Sequence, residues 1–569
     1  MNKAVAEMVL DSKPRGYEDV IVGIDLGTTN SAVTIYTDST VPKLVPMDIG
    51  GRTTLQSCVR WDGGNKFTVG PEPYAERYKD NVVYSIKRIM GSGETVTLRN
   101  PETGEEATFT PVQISAEILK ALIDKVRLNY PGVHRCIITV PAYFNQRQIE
   151  DTIQASKVAG LECVQILKEP TAASYIYSNL GYARDGSVLI YDLGGGTFDI
   201  TVMSFLKKSS IPSKVTSTLK RLYKIDVDAA NQSDSSLYFC RVLGTYGDMK
   251  LGGDDIDVEF AHSVVGASDL SDPEFEELVL RCEKFKKSTA EAMDVRIGAH
   301  TLHLTRDQLK QATRVIYERT LDLLHKIPKD QIAQVKTIVL VGGSTKSEYI
   351  TQFLQEEFPD KEISRVLDPD ATVALGAGAV AKDLQDGNAL PYQDVLPMAI
   401  GILDSETTVS VCVPANTTLP YAVSRRYATM YDNQEAVSID VYQGNSKVPS
   451  ECTYLGKLRV TGLPKRPAGE TGVVVSFLLN SQGRLTVTTE VDGVTEKKEL
   501  VIDSIFSVSA PEEVDLSDIV FFDEFEEQCA PSMREHPELL ELLSKRRTAI
   551  ESGDRDLADS LEFQILEVL

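Results

Sequence analysis

The sequence predicts an α/β protein of two duplicated lobes, followed by a β-sandwich domain and a short helical C-terminal segment. The prediction rests first on a repeat. An apolar run, Asp-Leu-Gly, a threonine-bearing glycine turn and an alternating return run occur at Val20 to Ile35 (VIVGIDLGTTNSAVTI) and again at Val188 to Val202 (VLIYDLGGGTFDITV). It rests next on the alternation of strand-like and helix-like segments from Val20 onward, which argues an α/β architecture. After about Asp386, finally, helical periodicity disappears and short alternating strands replace it.

Each repeat reads as a β-hairpin whose glycines supply backbone conformations that other residues resist. Successive N–H groups at such a turn can converge on an anion. The alternative is that each turn is only a turn. Asp192 and Asp199 would repel a phosphate unless a hydrated Mg²⁺ stood between them, as it does in phosphate sites built with carboxylates. Recurrence of the unit implies two related lobes, whose turns could grip a polyphosphate from both sides. A third glycine turn, Gly342-Gly343-Ser344, closes the apolar run IVLVGGST at Ile338 to Thr345.

Along the chain, residues 1–19 carry no period and read as an arm; Glu7 interrupts their apolar run, which makes a poor signal peptide. A nucleotide-binding unit over 20–386 follows. Gln113 to Arg127 reads as a helix through Ile114, Ile118, Leu122 and Val126, and Val133 to Val140 as a strand closed by Pro141. Thr152 to Ala159 reads as a helix ended by Gly160, and Cys163 to Leu167 as a strand before Glu169-Pro170. An insertion at about 207–236 brings serines, a proline and Lys207, Lys208, Lys214, Lys220, Arg221 and Lys224. It is either a solvated loop or a docking surface for an acidic partner. Leu278 to Ala290 reads as a helix that places Glu283, Lys286 and Lys287 on a shared face. Residues 387–397, with Gly387, Pro391 and Pro397, form a connector. A β domain over 398–504 follows, with strands at Thr408 to Val413, Ala436 to Tyr442, Val473 to Leu479 and Arg484 to Val491, and a hairpin turn at Asp492-Gly493. Residues 505–569 end in two helical stretches, Pro537 to Ile550 and Asp554 to Leu569, able to pair as a hairpin.

Composition excludes several functions. At 569 residues the chain exceeds one core, and its formal charge of −24 argues against nucleic acid as a partner, which would demand a basic face. Its 8 cysteines are scattered without a Cys-x-x-Cys pair, as in reduced cytosolic proteins. His300 and His303 lack companions for a metal, and an exposed pair is the simpler reading. No run approaches the roughly 20 apolar residues that span a bilayer. The expectation is a cytoplasmic protein with no membrane partner.

The segments IDLGTTNS at Ile24, VPAYF at Val140, EPTAAS at Glu169, DLGGGTFD at Asp192, LGGDDID at Leu251 and VGGST at Val341 occur in one order. In these the chain resembles the DnaK-type heat-shock chaperones, actin-fold ATPases joined to a peptide-binding domain. The resemblance runs from about Val20 to Ser504, apart from the insertion. It implies ATP/ADP and Mg²⁺ as cofactors. Turn donors of Gly27, Thr28, Thr29, Gly195, Gly196 and Thr197 would hold phosphate oxygens, with Asn30, Gly194, Gly252 and Gly253 completing the nucleotide-binding turns. Asp25, Glu169 and Asp192 would hold Mg²⁺ through its waters, and Asp199 would orient the attacking water or take its proton. Gly342, Gly343 and Ser344 would approach the nucleoside. Glu283 and Lys286 would contact ribose, the base would lie between Lys287 and Lys346, and Asp370 would close the pocket.

The sequence departs from that pattern in places. A catalytic lysine is expected shortly after Val69-Gly70, but the place falls near Tyr74, and Lys79 lies out of register. Lys346 stands where the family commonly has Arg, trading a planar stacking group for an aliphatic stem and implying weaker nucleotide binding. Ala290 replaces a residue that often carries a hydroxyl. The connector reads Ala389-Leu-Pro-Tyr-Gln-Asp394 rather than a leucine run, and Pro391 removes a donor from any strand it could add. Ile149 occupies the place of an arginine, with Arg147 nearby; Pro141 is kept. In the β domain ANTTLP, YATMYDNQ, VYQG, LGKLRVTGLP and GRLTV match the family. Val409, Tyr427, Met430, Val437 and Ile439 are candidates to hold an extended peptide, or else core of the sandwich. The C-terminal segment is shorter than the family's lid, and EEVD at Glu512 to Asp515 is internal.

The resulting expectation is an ATPase chaperone binding unfolded or extended apolar peptide clients, assisted by a J-domain cochaperone and a nucleotide exchange factor. The alternative is a nucleotide-binding switch with little hydrolysis serving a dedicated partner. The β-domain phrases disfavour an actin-fold sugar kinase or filament.

Overall fold

The computed structural model describes residues 17–502, apart from 18, 37–41, 185, 208–237, 267–269, 387–391, 406, 481–482 and 495–497, together with 542, 545 and 546. Nearly all of the expected arm, the insertion, Pro391, the internal EEVD and nearly all of the C-terminal helical expectation lie outside the described residues.

The first lobe opens with the hairpin β1 (Ile21–Asp25) and β2 (Asn30–Ile35), with Asp25 opposite Ala32. β3 (Lys43–Leu44) pairs with the far end of β2. Helix α1 (Pro111–Arg127) buries Ile114, Ile118, Leu122 and Val126, as its period predicts, and starts at a Thr110/Gln113 capping box. β4 (Arg135–Val140) lies parallel to β1. Helix α2 (Gln146–Val158) starts at an Asn145/Gln148 capping box, well before the predicted Thr152, because its polar first turn carries no apolar period. β5 (Glu162–Lys168) is parallel to β4 and leads into α3 (Glu169–Asn179).

The second lobe repeats this plan. β6 (Gly186–Leu193) and β7 (Phe198–Lys207) form the hairpin, and β8 (Tyr238–Asp248) adds antiparallel to β7. Helices α4 (Gly253–Val265), α5 (Asp272–Lys286) and α6 (Arg306–Leu324) follow, then the parallel strands β9 (Val335–Val341) and β10 (Glu362–Ser364). The sheet orders β5-β4-β1-β2-β3 and β10-β9-β6-β7-β8 are the same path walked twice. Helix α7 (Thr372–Gln385) packs against β1 and α3 of the first lobe. It approaches so closely that a Cβ on Gly23 would lie 2.3 Å from the Gly378 nitrogen.

The connector contributes a short strand after the position of Pro391 in the sequence. β11 (Tyr392–Gln393) pairs parallel with Cys240 and Arg241 at the edge of the second sheet. Both described residues of this strand carry an N–H donor.

The β domain contains β12 (Ile400–Ser405), β13 (Thr408–Val413), β14 (Tyr421–Ala428), β15 (Ala436–Gln443), β16 (Thr453–Thr461), β17 (Gly472–Leu479), β18 (Leu485–Val491) and β19 (Lys498–Ile502). They form the sheets β13-β12-β15-β16 and β14-β17-β18-β19 around a shared apolar core that includes Ile402, Val441, Leu458, Val475, Phe477 and Val487. This domain is bonded to the lobes. The Gln146 N–H donates to Gln443 Oε1 at 3.0 Å, Asn445 Nδ2 to the Tyr143 hydroxyl at 2.6 Å, and the Thr245 N–H to Asn416 Oδ1 at 2.9 Å. Ile149 is buried and Arg147 exposed, so the displaced arginine does not enter the described interface.

Candidate functional site

Both hairpin tips and the third glycine turn open onto one cleft of about 750 Å³ between the lobes. It is lined by Asp25, Gly27, Thr28, Thr29, Asn30, Glu169, Asp192, Gly194, Gly195 and Thr197, and at its other end by Gly253, Glu283, Lys286, Lys287, Gly342, Gly343, Ser344, Lys346 and Asp370. The tips stand face to face: a Cβ on Gly195 would lie 1.7 Å from Thr29 Oγ1, and one on Gly196 would lie 2.4 Å from Thr28 Cγ2. The Gly194 carbonyl accepts from the Gly253 N–H at 2.9 Å and from Ser344 Oγ at 2.8 Å, which knits the turns together. Gly252 serves this packing rather than the cleft wall; a Cβ there would meet the Gly195 carbonyl at 2.4 Å. Gly27 also departs from its expected role as a donor. Its N–H is given to Ser31 Oγ at 3.1 Å.

At the end of the cleft where the hairpin tips meet, a lysine is present, though not where the sequence placed it. Lys87, in the 3₁₀ turn Ile86–Ile89, sets its Nζ 2.7 Å from Glu169 Oε1 and lines the cleft. Tyr74 instead donates its hydroxyl to Glu283 Oε1 at 2.7 Å, and Lys79 pairs with Glu76 at 2.8 Å on the surface. The local sequence YSIKRIMG sets Lys87 beside Arg88, and nothing in it marks which of the two cations turns inward; only Lys87 is buried.

Around Lys87 the carboxyls crowd. Burial, then the neighbouring Glu169, pushes Asp25 up to about 7, against the pull of Lys87 and the Thr139 hydroxyl bonded at 3.0 Å. Burial and Glu169 likewise push Asp199 up to about 8, and burial with the same carboxylates holds Asp192 well above the usual range. Asp199 lies just behind the cleft wall, its Oδ1 accepting the Tyr143 N–H at 3.2 Å. Asp192 Oδ2 is buried without a hydrogen-bond partner. Crowded acids with an unpaired oxygen fit a divalent cation, whose charge would relieve their repulsion. Among the described residues no group of three or more His, Cys, Asp or Glu side chains is placed to ligate an ion directly.

At the far end Glu283 is less open than the ribose role suggests. Burial opposes its charge, yet Arg77 and Lys287 overcome this and hold its carboxyl down at about 2. The Arg77 guanidinium, which pairs with Glu283, lies 4.7 Å from the Tyr74 ring centre and 5.2 Å from that of Tyr84. Lys286 Nζ donates to the Gly253 carbonyl and to Asp257 Oδ2, both at 2.7 Å. Lys346 Nζ stands 2.5 Å from Asp370 Oδ2 and 3.2 Å from Asp368 Oδ1.

In the β domain the peptide candidates divide. Ile439 and Val409 are 4% and 3% exposed, which makes them core and removes them from a peptide surface in this arrangement. Met430 is 69% exposed, and Tyr427 and Val437 pack half-buried at the rim of the core. Their sequence period could not separate the two groups, because core and groove residues alternate alike.

Paired glycine hairpins facing a buried acid and lysine cluster, in two lobes of one topology with a β-sandwich bonded to them, define the actin-like ATPase fold joined to a second, β domain. The chain matches the family described as Hsp70 protein over residues 21–229 and 239–559. It belongs to the Hsp70 family and is an Hsp70-type chaperone. It is 32% identical over 520 residues to a chaperone protein HscA homolog of Acinetobacter baumannii (strain SDF), covering 85% of this chain and 77% of the relative. An HscA homolog of Methylococcus capsulatus is 34% identical over 508 residues, covering 82% and 75%. That of Bordetella petrii is 29% identical over 585 aligned positions, covering 96% and 88%.

Proposed function

We propose that the chain is an ATP-driven chaperone that holds extended apolar segments of unfolded proteins in its β domain, with ATP binding and hydrolysis in the interlobe cleft setting client affinity. The observation that carries this reading is the opposition of the two hairpin tips above Lys87 and the buried carboxyls, in lobes to which the β domain is directly bonded. Thr28, Thr29, Thr197 and the turn amides hold the phosphates. Lys87 lies where it can offset negative charge developing on the transferred phosphoryl group. Asp25, Asp192 and Glu169 hold Mg²⁺ through water. Asp199, fixed by the Tyr143 N–H, takes the proton of the attacking water. When bound, the cation supplies charge neutralisation to the phosphates. The family supplies the rest of the cycle, a J-domain cochaperone and an exchange factor. None of the described helices is long and apolar enough to cross a membrane, and the cytoplasm is the proposed location.

The competing reading, a nucleotide switch with little hydrolysis, draws on the altered connector and on the lack of a lysine near Tyr74; Lys87 in the cleft wall supports hydrolysis instead. Single-turnover hydrolysis beside ATP affinity separates the two. The native chain is expected to turn over, and Lys87→Met to slow hydrolysis by about a hundred- to a thousand-fold while ATP affinity changes far less. Tight binding with no turnover in the native chain would establish the switch instead.

A further inference from the structure

The connector is held by both lobes at once. Its backbone belongs to the second lobe, where Tyr392 and Gln393 pair with Cys240 and Arg241 of β8. Its side chains and carbonyls reach the first. Gln165 of β5 donates from Nε2 to the Tyr392 hydroxyl at 2.7 Å. Further along β5, Lys168 donates to the Val395 carbonyl at 2.8 Å and lies 3.1 Å from Asp394 Oδ1. The β domain takes the remaining side: the Leu419 N–H donates to the Asp394 carbonyl at 2.9 Å, and the Leu396 N–H to the Thr417 carbonyl at 2.8 Å. Gln165 is only 5% exposed, so without the hydroxyl its amide would be stranded away from water.

We propose that Tyr392 is the positioning residue through which the connector registers the angle between the lobes. One residue bonds β8 through its backbone and β5 through its hydroxyl, so it docks only at the lobe separation that satisfies both. What changes that separation rests on the nucleotide-driven reading above; the bond itself does not. A leucine connector would be held by apolar burial, which is indifferent to a hydroxyl. This connector is held by a hydrogen bond, which is not.

Hydrogen–deuterium exchange of the segment 392–398, in the full-length chain with and without MgATP, separates these two modes. The native segment is expected to be protected with MgATP. Tyr392→Phe and Tyr392→Leu should each raise its exchange about ten-fold, the worth of one buried hydrogen bond. Gln165→Met should do the same, and Tyr392→Phe with Gln165→Met should do no more than either alone. Exchange in β6 and β7 should stay unchanged, which reports an intact lobe. A native segment that exchanges freely in both conditions overturns the proposal, as does a leucine variant protected like the native chain. Protection lost in Tyr392→Phe supports it even where ATP leaves peptide release unaltered, an outcome that overturns the nucleotide-driven reading alone.

Discussion

Asp25 and Asp199 sit in a cluster where burial and a neighbouring carboxylate both resist their charge, lifting them from 3.8 to about 7 and about 8. A divalent cation and a proton-accepting role both require the charged forms. MgATP affinity and single-turnover rate should therefore rise from about pH 6 to about pH 8.5, with net proton release on binding; calorimetry in buffers of different ionisation enthalpy reads that release. The sign for folding is opposite. The nucleotide-free protein binds these protons more tightly than the unfolded chain, so their contribution to stability is full below about 3.8 and is lost as pH rises through about 7 and about 8. At this scale the sequence was legible where backbone demands a residue type. Asp-Leu-Gly and the glycine runs mark their own turns. Lys87 was not legible, because a lysine reaches its site along a flexible stem from a turn whose placement depends on the whole lobe. The exposure of Met430 against the burial of Ile439 is likewise a fact of packing.

Among the elements, the turn carrying Tyr74 and Arg77 is bonded to Glu283 of helix α5, a latch at the end of the cleft that Glu283 lines. Arg77 and Glu283 have side chains 4% and 6% exposed, and Tyr84 adds a 3.0 Å bond to Glu276 Oε2. A buried pair of this kind contributes little over an apolar contact, but removing one partner leaves a stranded charge and is strongly destabilising. Arg77→Met and Glu283→Gln are expected to speed ADP release by about ten-fold or more, read by stopped-flow with a fluorescent ADP. Unchanged release would show that the latch does not gate the cleft. The helix faces of α1 and α5 were legible through their periods, but the starts of α2 and α5 were not. Capping boxes at Asn145 and Ser271 open on polar residues, and no apolar period announces them. The strands β14 and β16 were missed for a related reason: Ser424, Arg425 and Arg426 interrupt one and Lys457 and Arg459 the other, as solvated faces do.

For the whole molecule, the duplication visible in two Asp-Leu-Gly turns became two sheets of one topology, with their tips opposed over the cleft. The connector and the Tyr143, Gln146 and Thr245 contacts then tie the β domain to those lobes. That arrangement was beyond the sequence, which holds no record of which surfaces of two domains meet. The claim that nucleotide in the cleft governs the β domain is tested by the release rate of a fluorescent apolar peptide from the full-length chain, with MgATP and with MgADP. Release at least about ten-fold faster with MgATP is predicted, within the usual range of coupling between sites. Equal rates in the two nucleotides would contradict it.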